Sequence, residues 1–340
     1  MRKITSLFLA FLLVFSLVSC SVTVHVKTSP SETVEETLTE EISGSVTLEG
    51  AETSEQGDYA PLLYRVTNDE GGELYLLGSI HVGREDYYPL PDYIYDALKK
   101  CDDLTVEADI ISFESDLSAQ IAAIRLFLAP DGKSITDYVS EDTYQKAVEI
   151  LKEYNMYASA MDLYTPVLWF NFIEQCTYLA AGAKTELGID RHLMQYAKEN
   201  SIPINEVESV EMQYEMLASF SDDLQVTLLE SSIASYNLTK NGFNNTEALM
   251  DVWAFGTEEE FAEMLKAEEN FPNEETRLLY EEYYDAMYTD RNADMAEFAI
   301  KCVEERAFTT FLCVGAAHVV GDEALVQILR EYGFRVELVR

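Results

Sequence analysis

The chain predicts an α/β fold, with a mixed, largely parallel central sheet flanked by helices and a large helical insertion. Three observations point there. Two apolar runs, "ELYLLGSIHVG" at 73–83 and "TTFLCVGAAHVVG" at 309–321, each reach a glycine and then a histidine three residues later. Residues 73–109 read strand, helix, strand, and a helical crossover favours a parallel pair. From about 112 to 305 the apolar residues fall mostly at helical spacing.

The elements follow in order. Residues 1–19 read as a signal peptide, a short positive head "MRK" and then an apolar run too short to span a bilayer comfortably. The run ends Leu17-Val18-Ser19-Cys20, which resembles a bacterial lipobox and predicts cleavage before Cys20 and lipidation of its thiol. Residues 20–58 form a Ser/Thr/Glu-rich linker, without Lys or Arg between Lys27 and Arg65. Its few apolar residues cannot offset the entropy of ordering, so disorder is expected, and His25 within it is uninvolved.

The folded domain is placed at 59–340. Asn68-Asp69-Glu70-Gly71-Gly72 between two apolar runs signals a hairpin. "PLPDYIYDALKKCD" is a short amphipathic helix and "DLTVEAD" a short strand. Ser140 caps one helix, Thr165-Pro166 opens another, and Thr257 with Glu260 forms a capping box. "GIDRHLMQYAKENSIPINEVES" reads helix, turn, strand, and the C-terminus reads strand, helix, glycine stop, strand.

Composition narrows the function. Of 340 residues, 48% are hydrophobic, enough for a substantial core. With 62 acidic against 23 basic residues the net charge is −39, which argues against nucleic acid as a partner and, more weakly, against an anionic membrane surface. Such a surface suits solubility and is compatible with holding cations. Cys101, Cys176, Cys302 and Cys313 are scattered in apolar surroundings and read as buried thiols, not as disulfides or a thiolate metal site.

Four polar residues stand at strand ends: His81, Glu107, Glu208 and His318. Sites in open α/β sheets form at the carboxyl ends of strands. Gly78 and Gly315 would let the backbone approach a ligand or another strand as each run leaves the sheet. Two imidazoles and a carboxylate are a common set for a catalytic divalent metal, which lowers the pKa of water and polarises a carbonyl. Spacing alone leaves a second reading open, in which each histidine is a hydrogen-bonded structural residue. The chain has no HExxH, Walker loop, GxGxxG or GxSxG. His192 lies in a helical stretch and reads as surface or packing, and the 21 tyrosines as amphipathic packing.

Five blocks, in order, resemble the TraB/GumN family: "LLGSIHVG", "YPLP..I..AL...D.LTVEAD", "LGIDRHLMQYAKENSIPINEVESVEMQ", "DRNADMA" and "VGAAHVVGDEALVQILREYGFRVELV". The resemblance runs from about residue 60 to 340. It departs at Val207-Glu208, where the family usually has Leu-Glu. Members include bacterial lipoproteins, pheromone-shutdown proteins and the Tiki ectoenzymes. The resemblance implies an α/β/α core shared with erythromycin-esterase-like and ChaN-like proteins. From the Tiki branch it implies metal-dependent peptide hydrolysis through two GxxH histidines and an acidic residue. Here those are His81, His318 and Glu107, with Arg291, Asn292 and Glu208 at the further matching positions.

The resulting expectation is a lipid-anchored extracytoplasmic hydrolase acting on a peptide or small acyl substrate. His81, Glu107 and His318 would hold manganese, cobalt or zinc. Glu208 would be the general base, and Arg291 would orient a carboxylate or stabilise an oxyanion. Contact with the bilayer is expected through the anchor only. The alternatives are a lipoprotein that captures a metal, a haem-like group or a peptide without turnover, and a surface protein that sequesters a peptide signal.

Overall fold

The computed structural model describes residues 59–266, 271–305 and 308–339. The expected signal peptide, Cys20, the linker and His25 lie outside the described residues. Six strands, β1 (Leu63–Thr67), β2 (Glu73–Ser79), β3 (Asp103–Val106), β4 (Ile204–Glu206), β5 (Thr310–Gly315) and β6 (Arg335–Val339), form one sheet in the order β4-β3-β5-β2-β1-β6. β2, β5, β3 and β4 are mutually parallel, while β1 runs antiparallel between β2 and β6. The sheet is therefore mixed and largely parallel, with helices around it.

Local chemistry sets the connections. At the β1–β2 turn the Asn68 side chain accepts from the backbone N–H groups of Glu70 (3.0 Å) and Gly72 (2.7 Å), satisfying donors that the hairpin would otherwise strand. β2 and β3 point the same way, as the strand-helix-strand pattern implies, but β5 lies between them. The reason is burial. Every residue of β5 is buried, so it belongs at the centre, whereas β4 and β6 are largely exposed and take the edges. Ser140 caps Glu141–Glu153, Pro166 opens Pro166–Ala180, and the Thr257–Glu260 capping box starts Glu258–Met264.

Two apolar cores result. One joins the sheet (Leu76, Phe311, Val314) to covering side chains such as Trp253, Met295 and Leu329. The other lies within the helical block around Trp169, Phe172, Tyr214 and Leu228. Cys176 and Cys313 are buried, Cys101 and Cys302 only partly so, and all four are free thiols. Among the described residues no helix is long and apolar enough to cross a membrane.

Candidate functional site

Parallel registry brings four strand ends to one edge. Ser79 at the end of β2 lies opposite Gly315 at the end of β5, and Val106 of β3 lies opposite Cys313 and Glu206. Beyond these ends come His81, Glu107, Glu208 and His318. Gly78 allows the close approach. A Cβ there would stand 2.9 Å from Ala316 Cα, so only glycine lets β2 nest against the short helix Ala316–Val319 that carries His318. The Trp253 indole donates to Gly78 O at 2.8 Å and pins the strand.

The two carboxylates meet in a buried network. Glu107 is 6% and Glu208 4% exposed. Arg291, on helix Asp290–Glu305, donates from Nη2 to Glu107 Oε1 (2.5 Å) and to Glu208 Oε2 (2.7 Å), and from Nε to Glu208 Oε1 (2.8 Å). Gln213 Nε2 bridges the same pair at 2.9 and 2.8 Å. Gly315 N–H donates to Glu107 Oε2 at 2.8 Å. A π-helical turn, Asp285–Thr289, precedes Arg291, and the Met287 carbonyl within it accepts from Arg291 Nη1 at 3.3 Å. Burial alone would raise the Glu107 carboxyl, but Arg291 overturns that, helped by the Gly315 N–H, and the group is held down at about 2. Arg291, buried between two carboxylates, keeps its proton more firmly than usual despite the cost of burial.

The histidines are each held through Nδ1. His318 is fully buried and its Nδ1 lies 2.6 Å from Asn292 Oδ1, while Asn292 Nδ2 donates to Glu323 O at 2.8 Å. An amide oxygen only accepts, so His318 carries its proton on Nδ1 and presents Nε2 as a lone pair. Burial, reinforced by Arg291, lowers its pKa to about 3 and keeps it neutral. His81 Nδ1 lies 2.6 Å from Asp190 Oδ2. Burial works against charge on His81, but Asp190 outweighs it and raises its pKa to about 9. Both Nε2 atoms are buried without a partner.

All five expected site residues, His81, Glu107, Glu208, Arg291 and His318, thus come to one sheet edge. Arg291, expected to face a substrate group, is engaged by the two protein carboxylates. Asp190 and Gln213 were not singled out from sequence. Gly188 was a signal for Asp190, since a Cβ there would fall 2.7 Å from His81 O, making glycine necessary where Asp190 approaches. His192 packs elsewhere, with Nε2 2.7 Å from Tyr95 OH and its ring against Tyr88. A pocket of about 30 Å³ opens beside the network, lined by Ser79, His81, Glu107, Asp190, Arg191 and Gln213 among others.

Among the described residues no three His, Cys, Asp or Glu side chains are arranged as a ready metal-binding group. Two imidazoles are nevertheless oriented for a metal. Each is anchored at Nδ1 by an oxygen acceptor and leaves Nε2 without a protein partner, which is how metal-ligating histidines are commonly held; His318 offers a lone pair there, and His81 would do so on giving up the proton that Asp190 helps it keep.

A family model described as the TraB/PrgY/gumN family matches residues 62–338. Two similar chains are each named "Uncharacterized protein YbaP", from Escherichia coli (strain K12) and Shigella flexneri. Each is 26% identical over 258 residues, covering 75% of this chain and 87% of the relative. No solved structure matches. The match spans β1 to β5, all of β6 but its last residue, and every residue of the buried network, and the chain belongs to the TraB/PrgY/gumN family.

Proposed function

We propose that the chain is a metal-dependent hydrolase of peptide or other acyl bonds, held on the outer side of a membrane by lipidated Cys20. The observation that carries this reading is the pair of buried, unpartnered Nε2 atoms at neighbouring strand ends beside Glu107. His81 and His318 would hold a divalent ion through Nε2, and Glu107 through the lone pair left on Oε2. Bound there, manganese, cobalt or zinc would supply Lewis acidity toward a carbonyl and make water a stronger acid. Asp190 and Asn292 keep the imidazoles turned toward that position. Glu208 would take the proton of the attacking water. Arg291 holds both carboxylates in place at the sheet edge.

Purified full-length protein, measured for bound metal and assayed on a peptide library with and without EDTA, tests this. His81→Ala and His318→Ala are each expected to lower metal content and abolish cleavage. If neither changes either quantity, the site is wrongly assigned. Cleavage that survives complete metal removal sinks the mechanism. Cys20→Ser should move the protein from the membrane to the soluble fraction; retention on membranes excludes the anchor.

A second reading has its own support. Arg291 donates to both oxygens of Glu208, so the lone pairs a base would use already face a protein cation. Capture of a metal or peptide without turnover needs no base. Stoichiometric metal with no cleavage of any peptide would favour it.

A further inference from the structure

The two edges of the sheet are protected unequally. An edge strand carries unpaired N–H and C=O groups and invites another strand unless it is short, covered or broken by proline. β4 is three residues long and follows Pro203. Glu206 at its end accepts from the Asp109 N–H at 2.8 Å. β6 is five residues long, contains no proline, glycine or lysine, and pairs with β1 over its whole length. Among the described residues no strand pairs with its other side.

The direction of its free groups follows from the hairpin. Asn68 N–H donates to Gly72 O at 3.2 Å, so the Asn68 backbone faces β2, and by alternation that of Val66 does too. Arg65 and Thr67 then face β6, where Glu337 and Arg335 stand opposite them. Val336 and Leu338 are left with N–H and C=O turned outward. Side chains alternate between the faces as well. Phe334 and Val336 pack on the sheet core, while Leu338 shares their face and is 39% exposed. Arg335 stands on the other face with Glu337, its side chain 67% exposed and 4.0 Å from Asp69.

Phe334-Arg335-Val336-Glu337-Leu338 is complementary to its own reverse. Antiparallel pairing about Val336 sets Arg335 opposite Glu337 and Phe334 opposite Leu338, each of them twice. Centring on Arg335 or on Glu337 instead puts like charges directly opposite, which is destabilising.

We propose that β6 is the surface by which two copies of this chain associate, antiparallel and centred on Val336, so that their sheets run on as one. Val336 exchanges both backbone bonds with its counterpart. Leu338 N–H reaches the carbonyl of the partner's Phe334; the Phe334 N–H is already committed to Leu329 O at 3.1 Å. Arg335 meets the partner's Glu337 across a non-hydrogen-bonded pair, in which side chains lie closer. Leu338 is covered by the partner's Phe334. Two identical edges meet and neither stays free, so the assembly closes at two. The contact is short, which fits a dimer in the micromolar range and not an obligate one. It is independent of the hydrolase reading.

The test is sedimentation equilibrium of the full-length protein in detergent across the micromolar range, where monomer and dimer are both expected. Arg335→Glu and Glu337→Arg each place two pairs of like charges opposite one another. Each should weaken dimerisation by about 30-fold and leave Tm unchanged, because the side chain replaced is exposed. Mixed together, the two variants offer each other only opposite charges and should form a heterodimer of about wild-type affinity. A fold lost by substitution is not regained by mixing, so this arm separates the contact from instability. Wild-type protein that stays monomeric throughout, association that ignores both charge reversals, or variants that stay apart when mixed overturns the proposal. So does assembly beyond two copies.

Discussion

At the residue scale, three titrating groups pull stability in opposite directions. His318 resists protonation in the fold down to about 3, while an ordinary imidazole takes its proton near 6.5. Below 6.5 the unfolded chain therefore binds the extra proton, and acid favours unfolding. Glu107 adds to this lower down, between its ordinary 4.5 and about 2 in the fold. His81 acts the other way. It keeps its proton to about 9, so its contribution is full below 6.5 and is lost as pH rises through about 9. Stability limited by these groups should peak near pH 6.5 and fall on both sides. Urea midpoints across the range check it. His318→Gln should flatten the acid limb above about pH 4.5, where Glu107 is not yet titrating, and leave the alkaline limb. Stability that rises from pH 6.5 toward acid would mean that His318 is charged in the fold.

At the element scale, the site depends on how closely β2 nests against Ala316–Val319. A methyl group added at Gly78 would meet Ala316 Cα at 2.9 Å and Cβ at 3.0 Å, contacts with backbone and a short side chain that cannot swing away. Gly78→Ala should cost about 1–3 kcal/mol by overpacking. It should also push His81 and His318 apart, so bound metal falls more than stability alone explains. Wild-type stability and metal content in the variant would show that this contact does not position the histidines. This is also where sequence was most legible. Gly-x-x-His marked both strand ends, and "TVEAD" and "NEVES" marked the other two. Strand order was less legible, because the local pattern of 73–109 carries no trace of β5, which arrives from more than two hundred residues later and separates β2 from β3. Gln213 was hidden for a similar reason. Its role exists only when helix Val210–Ala218 sets it between two strand ends, and a glutamine on a helix has no sequence signature of its own.

At the scale of the whole molecule, the network sits where the chain passes between its two cores. Val106 belongs to the sheet core and Ala108 to the helical one, with Glu107 between them. Val207 packs on the first and Val210 lies in the second, either side of Glu208. Met287 and Met295 flank Arg291 in the same way. The buried charges therefore tie the two cores at three crossings, and removing one partner leaves the others uncompensated. A ligand at this seam should stabilise both cores together. If the proposed ion binds the folded chain alone, saturation at a hundred times Kd adds about 2.7 kcal/mol. For a domain of this size that raises Tm by about 5–10 °C. The gain should appear as one sharper transition, vanish with EDTA, and be absent in His81→Ala and His318→Ala. A gain that survives both substitutions puts the ion elsewhere on this acid-rich chain. A second transition left unmoved by metal would mean that the helical core unfolds independently and that the crossings do not couple it to the sheet.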